Sequence, residues 1–200
     1  MSPIAASSPS AALAALRHAT RARHDRIDRL MDLRRLGEPA RYGRILQAFD
    51  AFVGPWERAV AAALPEACLP WLRQRSRHAF LRQDLRALGL PPARYEAPVP
   101  RLANAAAAWG SLYVMEGSAL GGQVITRSLA HGGLDARRGA AYFHGWGEAT
   151  GAMWREFRER LEEQLAGSER VQAACDGACR TFDALTALLE SQLHERPALA

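Results

Sequence analysis

The sequence predicts an all-α, single-domain protein, and three observations carry that prediction. Alanine is abundant and β-branched residues are few, a composition that favours helix. Apolar residues recur at helical spacing through most of the chain, and no run alternates apolar with polar as a half-buried strand does. No internal repeat is evident, and 200 residues suit one domain with a sizeable core.

Residues 1–10 are small and Ser/Pro-rich, which predicts a flexible tail ahead of a helical domain over 11–196. Ser10 suits an N-cap for a helix reaching about Leu33. Leu13, Leu16, Thr20, Ile27 and Met31 follow one another at steps of three, four, seven and four, a single helical stripe. His24 fits the gap in that stripe, whereas His18 falls off it.

Gly37 and Pro39 break the chain, and Pro39 suits the first turn of a second helix running to about Leu64, kinked at Pro55. A short piece near Trp71 and a helix over His78–Leu88 come next, then a connector from Gly89 to Pro100 with four prolines. A long helix is expected over Arg101–Ala130, ended by His131, Gly132 and Gly133. Tyr142 to Gly147 reads as an aromatic-rich loop or short turn, and two final helices are expected at about Glu148–Ala166 and Ser168–Glu195.

The totals exclude several classes of function. The net charge is +5, carried by arginine alone and spread along the chain, unlike the dense patch of a nucleic-acid binder. A mild basic surface suits an anionic small molecule or an acidic partner protein. No stretch reaches bilayer-spanning length, and no leader pattern opens the chain. Cys68, Cys175 and Cys179 show neither a disulfide framework nor zinc spacing, so a reducing, cytoplasmic setting is expected.

The oddest stretch lies inside the long helix, where Gly117, Gly121 and Gly122 interrupt an otherwise good helix former. Each interior glycine costs about 0.5–1 kcal/mol relative to alanine, so the three cost about 2–3 kcal/mol. Gly117 and Gly121 lie on one face and leave main chain bare there. Tight helix–helix packing uses the same spacing, and so does a ligand lying against the backbone. His24 has two readings as well, a satisfied core histidine or a metal ligand. Together, a neutral imidazole on one helix and bare backbone on another would hold both sides of a flat metal macrocycle such as haem. Arg17, two turns before His24, and Tyr113, one turn before Gly117, could reach the propionates at its edge, although exposed arginines and half-buried tyrosines are commonplace.

The stretch Leu16–Asp28, reading LRHATRARHDRID, resembles the proximal-helix signature of the haem oxygenases. Tyr113–Gln123, reading YVMEGSALGGQ, is similar to their distal helix, in the same order and at a similar separation. Tyr142 to Gly147, Thr150, Gly151, Met153, Trp154 and Phe157 resemble bacterial members, particularly those found alongside bacteriophytochromes. The resemblance spans about Leu13 to Leu189. It implies a helical bundle with haem between the first helix and a glycine-kinked distal helix. It also implies His24 as proximal iron ligand, haem contact from the backbone of Gly117 and Gly121, propionate contacts from Arg17 and Tyr113, and Phe182 as an aromatic lining the pocket. The implied reaction is cleavage of haem, both cofactor and substrate, to biliverdin, carbon monoxide and ferrous iron with O2. No flavin or nicotinamide fingerprint is present, so electrons would come from an external ferredoxin or flavoprotein reductase, and a bacteriophytochrome could receive the biliverdin.

One position departs from the family pattern. Mammalian members carry an aspartate directly after the first distal glycine, and here that residue is Ser118. The aspartate mechanism therefore does not transfer. Ser118, freed backbone carbonyls and ordered water are the remaining candidates for proton delivery. A non-enzymatic haem carrier or sensor is the alternative that this departure keeps open. A helical thiamine-compound hydrolase is the other, and the three cysteines show no nucleophile setting for it.

Overall fold

The computed structural model describes residues 11–194, with no side-chain description at His194, so the 1–10 tail, the Ser10 cap and the end of the domain at 195–196 lie outside it. Among the described residues the elements are helices joined by turns: α1 (Ala11–Met31), α2 (Pro39–Ala63), α3 (Leu69–Arg73), α4 (His78–Ala87), α5 (Ala105–Ala130), α6 (Ala141–His144), α7 (Thr150–Gln164) and α8 (Ser168–His194).

The pair α5 and α8 forms the centre, and the sequence shows why they approach so closely. A Cβ on Gly110 would fall 1.8 Å from the Ala174 carbonyl oxygen, and one on Gly177 would fall 2.1 Å from that of Ala107. Main chain therefore touches main chain at two reciprocal points. One hydrogen-bonded chain locks the crossing to α2. Trp56 Nε1 donates to Ser111 Oγ at 2.8 Å. Ser111 Oγ donates to Thr181 Oγ1 at 2.7 Å, and Thr181 donates to the Gly177 carbonyl at 2.8 Å. Every hydroxyl in this buried chain has both a donor and an acceptor role filled, which avoids about 1–3 kcal/mol for each unsatisfied group.

Helix α1 packs its stripe on α8, with Leu13, Leu16, Thr20 and Met31 buried and Ile27 half-buried, while the off-stripe His18 is exposed. Arg23 pairs with Asp183 at 2.8 Å and Arg26 with Glu190 at 2.6 Å along the seam. Pro55 lies inside α2 and has no N–H to give the Ala51 carbonyl. That carbonyl instead accepts the Ala97 amide at 2.9 Å, which ties the proline-rich connector back onto the helix.

Two boundaries differ from the sequence expectation. Helix α5 begins at Ala105 rather than Arg101, because Asn104 is its N-cap and accepts from the Ala107 amide at 2.9 Å. The aromatic loop contains one helical turn, α6, capped by Asp84 of α4, whose carboxylate accepts the Ala141 and Tyr142 amides at 2.7 and 2.8 Å. Helix α5 also stays helical through its three glycines. Gly122 explains its own presence, since a Cβ there would meet the Phe143 carbonyl oxygen of α6 at 2.2 Å.

Candidate active site

Helices α1 and α5 both lean on α8, and between them a cavity of about 500 Å3 opens. That size lies within the ordinary range of small-molecule and cofactor sites, about 300–1,000 Å3. All seven residues singled out from the sequence line it: Arg17, His24, Tyr113, Gly117, Ser118, Gly121 and Phe182.

From the α1 side comes His24, its side chain 62% exposed. Its Nδ1 lies 3.0 Å from Asp28 Oδ2, one turn on. In the neutral imidazole that contact places the proton on Nδ1 and leaves the Nε2 lone pair free for a metal. The Phe182 ring of α8 stands edge-on to the imidazole, with centroids 6.0 Å apart. Arg17 is exposed at the rim and makes no ion pair among the described residues. Burial pushes the Tyr113 hydroxyl above the usual phenol range, opposed by the Thr20 hydroxyl and the charge of Arg17.

The α5 side presents bare helix. A Cβ on Gly121 would meet nothing within 4 Å, and one on Gly117 would only reach ordinary contact with Trp154 at 3.9 Å. The two readings of the glycines therefore divide between positions. Gly110, Gly122 and Gly177 serve close packing, whereas Gly117 and Gly121 face open space. Leu120 and Val124 lie on the same face, line the cavity and are exposed at 37% and 51%.

Sequence reasoning missed Arg77. Its guanidinium lines the cavity although the residue is 7% exposed. It donates to the Met115 carbonyl and, at 2.8 Å, to Ser118 Oγ, and it lies 4.8 Å over the Tyr142 ring. Ser118 spends its own hydrogen on the Met115 carbonyl at 2.7 Å. The charged donor on this wall is thus an arginine, next to the position where the family pattern has an acid. Two residues earlier, Arg75 donates to Glu116 of α5, to the Met153 carbonyl and to Glu156 of α7. Burial pushes the Glu116 carboxyl up, against the pull of Arg75 and Arg77. This clamp fixes the segment carrying Arg77 against both helices. Nothing in the local pattern around residue 77 signals it, because its partners lie about forty residues away. Asp28 was legible as a carboxylate one turn after His24.

These parts fit an iron porphyrin. The His24 imidazole lines the cavity from α1, two open glycines line it from α5, the lining is largely apolar, and Arg17 and Tyr113 offer donors for carboxylates at its edge. Comparison with known proteins points the same way. A family model described as Heme oxygenase matches residues 10–191. A protein named heme oxygenase from Xanthomonas campestris pv. campestris is 35% identical over 143 residues, covering 71% of this chain and 80% of the relative. The fold is similar to the NO- and CO-bound heme oxygenase from Neisseria meningitidis, with a TM-score of 0.74, 24% identity and 92% of each chain covered.

Proposed function

This chain belongs to the haem oxygenase family, and from that premise we propose that it cleaves haem to biliverdin, carbon monoxide and ferrous iron, with His24 as the iron ligand. The observation that carries the reading is a single cavity lined by the His24 imidazole from one helix and by the open glycines Gly117 and Gly121 from another. When bound, the iron porphyrin supplies O2 binding and the redox chemistry of its own oxidation.

The protein supplies position, protons and exclusion. Asp28 holds the His24 ring through Nδ1 and leaves Nε2 for the iron. Phe182 limits rotation of that ring. Gly117 and Gly121 leave room for a planar ligand to lie close to the main chain of α5. Arg77 donates hydrogen bonds into this side and fixes Ser118, which takes the place of an acid. Arg17 and Tyr113, which line the cavity, would hold the propionates of the macrocycle and so set its rotation.

The family requires an external electron donor. An acidic ferredoxin or flavoprotein reductase suits the arginine-only basic surface, and a bacteriophytochrome is a receiver suited to the biliverdin. Among the described residues no helix is long and apolar enough to cross a membrane. The three free cysteines support a cytoplasmic setting.

The test is a hemin titration of the whole chain, followed by reductant in air. One equivalent should shift the Soret band, and the band should then bleach with biliverdin recovered. Saturable binding with no bleaching identifies a carrier or sensor instead.

A further inference from the structure

A second cavity lies behind the wall of the first. Helix α2 turns Phe49 into the large cavity and its neighbour Asp50 into a cleft of about 430 Å3, and the start of α4 repeats the division with Arg77 and His78. The proline-rich connector supplies a further side through residues 93–96. The lining differs in kind from that of the large cavity. Arg58, Arg82, Arg94 and His78 stand there with two carboxylates, Asp50 and Glu96.

Asp50 anchors the cleft and is fully engaged. Its side chain is wholly buried, and its Oδ1 pairs with His78 Nε2 at 3.0 Å and Arg82 Nε at 2.7 Å. Its Oδ2 accepts the Ala93 amide at 2.9 Å. A buried carboxylate needs such partners, so its charge holds α2, α4 and the connector together and is not offered to a ligand. Gly54 makes room for the arrangement, since a Cβ there would press on the His78 ring at 3.2 Å.

The arginines are arranged differently. Arg82 is held through Nε, and among the described residues its two terminal amino groups donate to no protein acceptor. Its side chain is 42% exposed, so that edge is open. Arg94 is exposed and makes no hydrogen bond or ion pair among the described residues. Arg58 pairs with Glu96 at 2.5 Å, but both side chains are well exposed, and such a pair exchanges readily. A guanidinium fixed on one edge by a buried carboxylate loses little freedom when its other edge takes an oxyanion.

We propose that this cleft is a second ligand site, and that it takes a small phosphate-bearing anion on the open edge of Arg82, with Arg94 and Arg58 as further donors. The site stands apart from the haem-cleaving reading, because none of its residues lines the first cavity. Phosphate suits it better than a carboxylate does. Three arginines offer more donors than two carboxylate oxygens can accept, and a phosphoryl group brings three acceptor oxygens. Glu96 opposes any anion, so the ligand displaces it from Arg58. Once bound, the anion bridges α2, α4 and the connector and stabilises the folded chain by mass action.

The experiment titrates inorganic pyrophosphate into the full-length protein at constant ionic strength, with sodium chloride and malonate as comparison salts. Binding heat and thermal midpoint are read together. Pyrophosphate should bind saturably and raise the midpoint, chloride should do neither, and malonate should bind about tenfold more weakly. R94Q breaks no contact, so it should keep the wild-type midpoint without pyrophosphate and bind it about tenfold more weakly. R82K keeps a cation beside Asp50 and removes the open guanidinium edge, and it should weaken pyrophosphate by a similar factor. R17Q, in the other cavity, should leave pyrophosphate binding unchanged. Pyrophosphate that does no more than chloride overturns the proposal, and so does wild-type binding by both R94Q and R82K. Loss of binding in R17Q places the anion in the large cavity and overturns it as well. Malonate binding as tightly as pyrophosphate overturns the choice of phosphate.

Discussion

The proposed ligand role of His24 is easy to test, because its side chain is exposed. Its side chain contributes little to the core, so His24→Ala should change unfolding free energy by no more than about 0.5 kcal/mol. The same change should abolish the Soret shift at one equivalent of hemin, and added imidazole should restore it. A stable variant with an unchanged Soret band removes the ligand assignment. The glycines allow a sharper comparison, because they look alike in sequence and differ in surroundings. Gly121→Leu adds a side chain to open space, so it should stabilise the unloaded protein by about 0.5–1 kcal/mol and weaken hemin binding at least tenfold. Gly110→Ala forces a methyl group onto the Ala174 carbonyl and should cost more than about 3 kcal/mol, at the upper end of overpacking penalties. Chemical denaturation and hemin titration of the two variants check both statements. Among single residues, the faces on which His24, Gly117 and Gly121 lie were legible because helical spacing alone sets them, and all three line the cavity. Arg77 was not, since its importance comes from Ser118 and Met115, which meet it only through tertiary folding.

Element by element, the sequence located the helices well and their ends less well. The α1 stripe, the break at Gly37 and Pro39 and the long α5 all follow from local periodicity and punctuation. Helix α6 did not, because a single turn has no periodicity and depends on a cap from α4. That cap gives a pH prediction. Burial outweighs two amide donors and raises the Asp84 carboxyl from 3.8 to about 6. The folded state therefore holds this proton more tightly than the unfolded chain does. Its contribution is complete below about pH 3.8, is lost as pH rises through about 6, and amounts to about 3 kcal/mol. The difference in unfolding free energy between wild type and D84N should accordingly change over about pH 4–6 and stay flat above it. A difference independent of pH over that window removes the assignment. The α5–α8 crossing was hidden for another reason. Ala107, Gly110, Ala174 and Gly177 are ordinary residues in helical runs, and only the pairing of two distant helices reveals that their main chains touch.

At the scale of the whole molecule, the sequence made the partnership of the first and central helices legible, and left unstated that neither relies chiefly on the other. The bond between α5 and α8 is main chain against main chain with a complete hydrogen-bonded chain across it. The seam between α1 and α8 is a single apolar stripe flanked by exposed ion pairs, each worth about 0–1 kcal/mol and weakened by salt. Native-state hydrogen exchange should therefore rank α1 amides as faster than those of α5 and α8, with the gap widening at high ionic strength. Equal protection across the three helices counts against this ranking. The histidine is thus mounted on the looser jaw and the glycines on the fixed one. A bulky product could depart by a small outward swing of one jaw, with the α5–α8 crossing left intact.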